Sequence, residues 1–157
     1  MSRFVIYINL PKYLSQFIRH HLGCPVAFPQ SSNENAIIRA FLQKLPTGAV
    51  PDVMADGATP IVIPDSVSKP PEQFNYIGSR GKRAVQEAVK DLFLRSLWSD
   101  ISPLRDSPVG LNSLIAAWCE GHGIEIDQIE TVRQCYYRMR KNYRAKGINL
   151  KKSSRKS

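Results

Sequence analysis

Apolar and polar positions divide this chain into two regimes. Up to about residue 64 the apolar residues come in short runs separated by turn chemistry; from about residue 83 they recur at helical spacing. Residues 3–10 hold Phe4, Val5, Ile6, Tyr7 and Ile8 in succession, which predicts a strand with apolar side chains on both faces. Pro11 suits the first turn of a helix. Tyr13, Leu14, Phe17, Ile18 and His21 then fall on one helical face that Gly23 ends. Val26-Ala27-Phe28, between Pro25 and Pro29, predicts a brief second strand. Ser31 with Glu34 three residues on has capping-box spacing. Behind it Ile37, Ile38, Phe41, Leu42 and Leu45 predict a second helix, stopped by Pro46 and Gly48. Turn residues fill 46–60, and Ile61-Val62-Ile63 predicts a third strand. The expected fold class is α+β, with a small N-terminal β-α-β-α-β unit over residues 1–64.

Residues 65–78 carry Ser66, Ser68, Pro70 and Pro71 and are expected to be a Pro-rich linker. Residues 79–146 predict a three-helix unit. Ala84, Val85, Ala88, Val89, Leu92, Phe93, Leu97 and Ile101 form a wide apolar stripe that Pro103 closes. Ser107 before Pro108 reads as a cap with proline at the first helical position, and Leu111, Leu114, Ile115 and Trp118 mark the second helix. Gly121 and Gly123 end it. Asp127 with Glu130 resembles a capping box, and a last helix is predicted from about Gln128 to Lys146, with Gly147 as its stop. Residues 147–157 are expected to be a basic tail with nothing to bury. A short second helix, a Gly-containing turn and a longer third helix suggest a helix-turn-helix variant, although this turn is longer than the usual three or four residues.

Charge changes the picture. The chain of 157 residues has 22 Lys+Arg and 13 Asp+Glu, net +9. Residues 1–130 hold 12 Lys+Arg against 13 Asp+Glu, a balance of −1; residues 131–157 hold ten cations and no acid. A segment of one sign attracts a polyanion. On the last helix, Ile129, Val132, Tyr136, Met139 and Tyr143 recur at spacings of three and four and form the expected core seam. Arg133, Tyr137, Arg140 and Arg144 recur at four, three and four on a second face, and Arg138, Lys141 and Lys146 extend its basic margin. Arg reads guanine edges in the major groove, and Lys and Tyr reach phosphates. Arg80, Lys82 and Arg83, in Gly78-Ser79-Arg80-Gly81-Lys82-Arg83, stand where a helix begins and could add a phosphate contact. The spacing differs from that of a nucleotide-binding P-loop.

Double-stranded DNA is therefore the expected partner, with Arg133, Arg140 and Arg144 expected to matter more than residues 151–157. A homodimer would raise affinity. RNA stays open as a ligand. The alternative is a non-enzymatic interaction module whose basic end docks an acidic protein. An ordinary solvated helix would also satisfy the pattern, because cations near a helix C-terminus complement its dipole.

No enzyme, cofactor or metal site is expected. His20, His21 and His122 fit no zinc-protease or nucleophile-elbow motif, and His21 completes an apolar face. Cys119, His122 and Cys135 offer three of the four ligands zinc wants; the two cysteines read better as small core residues. Asp52, Asp56 and Asp65 are spread through loops. No apolar run approaches the length of a membrane span, the N-terminus lacks a signal-peptide pattern, and three cysteines make a disulfide scaffold unexpected. A soluble cytoplasmic protein is expected, with no membrane partner. Tyr7-Ile8-Asn9-Leu10 with Tyr13-Leu14, Phe28-Pro29 with Asn33-Glu34-Asn35-Ala36-Ile37, and Ala117-Trp118-Cys119-Glu120-Gly121-His122-Gly123-Ile124 carry a resemblance. On them the chain resembles small basic proteins of unassigned role carried by bacterial mobile elements and prophages. The resemblance implies a role in DNA transactions and supplies no catalytic residues.

Overall fold

A computed structural model of the chain describes residues 4–51 and 57–156, with side chains as far as Ala145. The fold is mixed α+β, with five α-helices and two small two-stranded sheets among the described residues. The chain divides into two compact units, Met1–Phe93 and Leu94–Ser157. No helix among the described residues is long and apolar enough to cross a membrane.

In the first unit, β1 (Val5–Asn9) pairs antiparallel with β3 (Ala58–Val62). Ile6 and Ile8 are buried, while Val5 and Tyr7 on the other face are only half-covered. Pro60 sits inside β3 because its missing N–H points away from β1; its carbonyl accepts from Val26 N at 2.9 Å, and Val62 N returns a bond to Val26 O at 2.8 Å. Residues 26–28 thus contribute one parallel bridge, Val26 to Ile61, rather than a strand. A parallel ladder would continue with Phe28 N to Val62 O and then residue 64 N to Phe28 O, and Pro64 has no N–H for the second of these. Helix α1 (Lys12–Leu22) starts after Pro11 and stops at Gly23, whose φ of +84° suits glycine. His21 is exposed, with its ring edge-on to Phe17 at 4.9 Å, so it borders the core rather than joining it.

Helix α2 (Asn33–Phe41) departs from expectation at both ends. Its cap is Ser32, whose hydroxyl accepts from Asn35 N at 3.2 Å, one residue beyond the expected Ser31. It ends at Phe41, and Leu42–Gln43 (β2) pair with Tyr76–Ile77 (β4). The stop comes from the Pro-rich stretch: Lys69 Nζ donates to the carbonyls of Arg39 at 2.7 Å and Leu42 at 2.9 Å, capping the helix with a charge. Residues 65–78, expected as a linker, therefore carry both a strand and a cap.

Helix α3 (Ser79–Ile101) contributes to both units, and a 3-10 turn over Ser102–Leu104 follows it. Gly81, Val85, Val89, Phe93, Leu97 and Ile101, every fourth residue, are all buried. Phe93 meets Tyr13 and Phe17 edge-on, with centroids 5.1 and 5.3 Å away. In the second unit, Ser107 and Pro108 do not begin a helix. Ser107 Oγ accepts from Val109 N at 3.2 Å, closing a turn, and α4 (Leu111–Gly121) starts after Gly110. Its end is a Schellman turn: Ile124 N donates to Cys119 O at 2.9 Å, Gly123 N to Glu120 O at 3.3 Å, and Gly123 has φ +74°. A 3-10 turn over Ile126–Gln128 takes up Asp127 and leads into α5 (Ile129–Lys156). Gly147 does not end α5, which stays helical for nine further residues. One glycine costs a helix only about 1 kcal/mol.

Candidate nucleic-acid interface

Helix α5 is held by one seam. Val132, Cys135 and Tyr136 are buried and Ile129 and Met139 half-buried. Trp98, near the end of α3, covers the seam's C-terminal end, stacking on Tyr136 at 5.4 Å and tilting against Tyr143 at 4.5 Å. Burial pushes the Tyr136 hydroxyl above its ordinary pKa, while Arg140 and Arg105 pull the other way. The expected core seam is thus in place, with Tyr143 as its exposed end.

The second face is less free than its spacing implies. Arg133 Nη1 donates to Glu130 Oε2 at 2.8 Å, and Gln134 Nε2 donates to Oε1 of the same carboxylate at 3.0 Å. The Arg133 Nε is buried without a hydrogen-bond partner. Tyr137 donates its hydroxyl to Asn112 Oδ1 on α4. Arg140 stacks over the Tyr137 ring, Cζ to centroid 4.9 Å. Arg133 and Tyr137 therefore belong partly to the packing of this unit. Arg138, Lys141 and Arg144 are exposed, and none of them, nor Arg140, meets an acid among the described residues. The Lys146 side chain lies outside the described residues.

Arg80, Lys82 and Arg83 belong to the first unit, in the opening turns of α3. Arg80 and Arg83 are exposed and Lys82 half-buried. The glycine among them serves packing: a Cβ on Gly81 would come within 2.7 Å of Phe41 Cβ and closer still to Ile77. That tight approach explains Gly81 without a phosphate.

Cys119 and Cys135 are buried and Cys24 exposed. Burial raises the Cys119 thiol to about 11, against the opposing charge of Arg133. His122 Nε2 lies 3.7 Å from Asp100 Oδ2, which also accepts from Trp118 Nε1 at 2.8 Å; the Trp118 and His122 rings are 4.1 Å apart. Among the described residues, no group of three His, Cys, Asp or Glu could hold a metal ion. Asp52 and Asp56 lie outside the described residues.

Sequence reasoning overlooked two parts of this arrangement. The Glu130–Arg133 pair has i, i+3 spacing and was open to it. Asn112 and Trp98 come from other helices and carry no local signal. No protein-family model, no curated protein and no solved structure matches the chain.

Proposed function

We propose that the second unit binds double-stranded DNA along the outer face of α5, without catalysis. Direct contacts come from Arg138, Arg140, Lys141 and Arg144, with Lys146 beyond them. Arg133 and Tyr137 orient the face through Glu130 and Asn112. In this reading α4, the Gly123 turn and α5 act as a helix-turn-helix variant with α5 in the major groove. Arg80 and Arg83, in the first unit, are candidates for phosphate contacts of their own.

One observation carries the reading. After Glu130 the helix has no carboxylate, and its exposed cations meet no acid among the described residues. Exposed helices ordinarily mix signs so that neighbours at i, i+4 can pair. A face that forgoes those pairs is complementary to phosphate, whose neutralisation releases counterions.

Fluorescence anisotropy with a labelled duplex of mixed sequence at low salt tests it. Wild-type protein should bind, and Arg138→Ala with Lys141→Ala and Arg144→Ala should flatten the salt dependence by about three units of slope, one per lost phosphate contact. Binding to an acidic protein or to single-stranded RNA with no affinity for duplex DNA would replace this reading.

A further inference from the structure

The splayed end of the small sheet in the first unit holds a feature unrelated to the basic helix. Where residues 26–28 diverge from β3, a cavity of about 240 Å³ opens, lined by Phe28, Gln30, Asn35, Val62, Ile63 and Asp65 among others. Pro64 borders it. A parallel ladder starting at Val26 would continue with Phe28 N to Val62 O and then an N–H from residue 64 to the carbonyl of Phe28, and proline supplies none for that second bond. Asn35 takes that role instead. Its Nδ2 donates to Phe28 O and to Pro29 O, both at 3.0 Å. With both amide hydrogens committed, the orientation of the Asn35 side chain is fixed.

That commitment leaves the Asn35 carbonyl oxygen stranded. The residue is 3% exposed, and its Oδ1 is buried with no hydrogen-bond partner. A buried acceptor without a donor is costly, and the entry of a donor recovers the cost. The remaining polar groups are an exposed carboxylate, Asp65, and an exposed amide, Gln30, whose flexible side chain can move aside. Among the described residues no cationic side chain lines the cavity, and the rest of its wall is aromatic and aliphatic. Asn35 stands in the first turn of α2, whose positive end disfavours a cation; Glu34 in that turn and Asp65 carry the opposing charge.

We infer that this cavity is a binding site for an alkyl cation, an ammonium or guanidinium on an aliphatic stem. The stem packs on Phe28, Val62 and Ile63, and the charged head pairs with Asp65 and donates to Asn35 Oδ1, which is closed to solvent in the empty cavity, as the wall opens on binding. A free small amine and the lysine or arginine side chain of a peptide share this chemistry.

Titrations of the ¹⁵N-labelled full chain test it, with n-butylammonium, n-butylguanidinium, n-butanol and butyrate as probes, followed by NMR. The two cations should move the amide signals of Ala27, Phe28, Gln30, Asn35, Val62, Ile63 and Asp65 saturably, and the alcohol and the carboxylate should not. Ala27→Leu fills the cavity and should abolish the effect. Asp65→Asn, at an exposed position, should keep the fold and weaken binding by about two- to fivefold, as for an exposed ion pair. Tighter binding of Nα-acetyl-arginine methylamide than of n-butylguanidinium would identify a peptide side chain as the source; equal or weaker binding would identify a free amine. Equal shifts with n-butanol, stronger shifts with butyrate, or no saturable shift at millimolar cation would each overturn the inference. All arms read the first unit, so the result is independent of duplex binding.

Discussion

Three thiols of one chain stand in three different environments. Cys24 is exposed, Cys135 is buried, and Cys119 is buried and held neutral, its pKa near 11. Only thiolate attacks a disulfide reagent. Native protein at mildly alkaline pH should therefore release one equivalent of thionitrobenzoate quickly, from Cys24, and all three only in denaturant. Fast reaction of two or three thiols would contradict the buried positions of Cys119 and Cys135. Two imidazoles give a second test. Partial desolvation at the edge of the core, and then its neighbour His20, hold the largely exposed His21 below the ordinary value of 6.5. The folded state then binds fewer protons than the unfolded chain as pH falls through that value. The stability associated with neutral His21 is present above pH 6.5 and is lost as pH drops toward the lowered folded value. Urea unfolding at neutral and mildly acidic pH should show wild type losing more stability on acidification than His21→Gln. His21 illustrates the limit of periodicity: its spacing places it on the apolar face, but the helix stops at Gly23 and the ring stays exposed beside Phe17.

Two glycines in helices should respond in opposite ways to the same change. Alanine is the better helix former by about 1 kcal/mol. At Gly121, the last residue of α4, an added Cβ meets nothing within 4 Å, so Gly121→Ala should raise stability by up to about 1 kcal/mol. At Gly81 the Cβ would strike Ile77 and Phe41. Overpacking there costs about 1–3 kcal/mol, which exceeds the propensity gain; Gly81→Ala should lower the urea midpoint. A stabilised Gly81→Ala would mean that α3 does not press on β4 and α2 as described. Element existence was legible where periodicity was long, as in α1, α3 and the seam of α5. Element ends were not, because distant groups decided them. Lys69 ends α2 from 27 residues beyond Leu42. At 26–28 Pro64 has no N–H for Phe28 O and Asn35 takes that carbonyl instead, and the expected strand is one bridge. Ser107 and Pro108 carry a helix-start pattern that the chain spends on a turn. In each case a residue remote from the pattern, or a competing local hydrogen bond, outweighed a few tenths of propensity.

At the scale of the molecule, the net charge of +9 resolves into a near-neutral body and a basic end. The sequence placed the candidate face on α5, but it could not show that Arg133 and Tyr137 are tied to Glu130 and Asn112. Nor could it show that the helix survives Gly147. The second point alters the expected division of labour. With α5 helical to Lys156, positions 151 and 155 continue the register of 133, 140 and 144, at steps of seven and four. If the proposed interface follows that register, the tail extends it rather than standing apart from it. A tail that merely screens phosphate would be dispensable next to Arg133, Arg140 and Arg144. A continuous face makes it comparable to them. Log K against log salt for the full chain should have a slope of about −7 if eight cations meet phosphates, five from Arg138 to Lys146 and three beyond them. Deleting residues 148–157 removes Lys151, Lys152, Arg155 and Lys156, and should bring the slope down by about three, as much as the triple substitution at Arg138, Lys141 and Arg144. Arg133→Ala alone should change it by less than one, because Glu130 already balances that charge. An unchanged slope after the deletion would confine the interface to the part of α5 before Gly147.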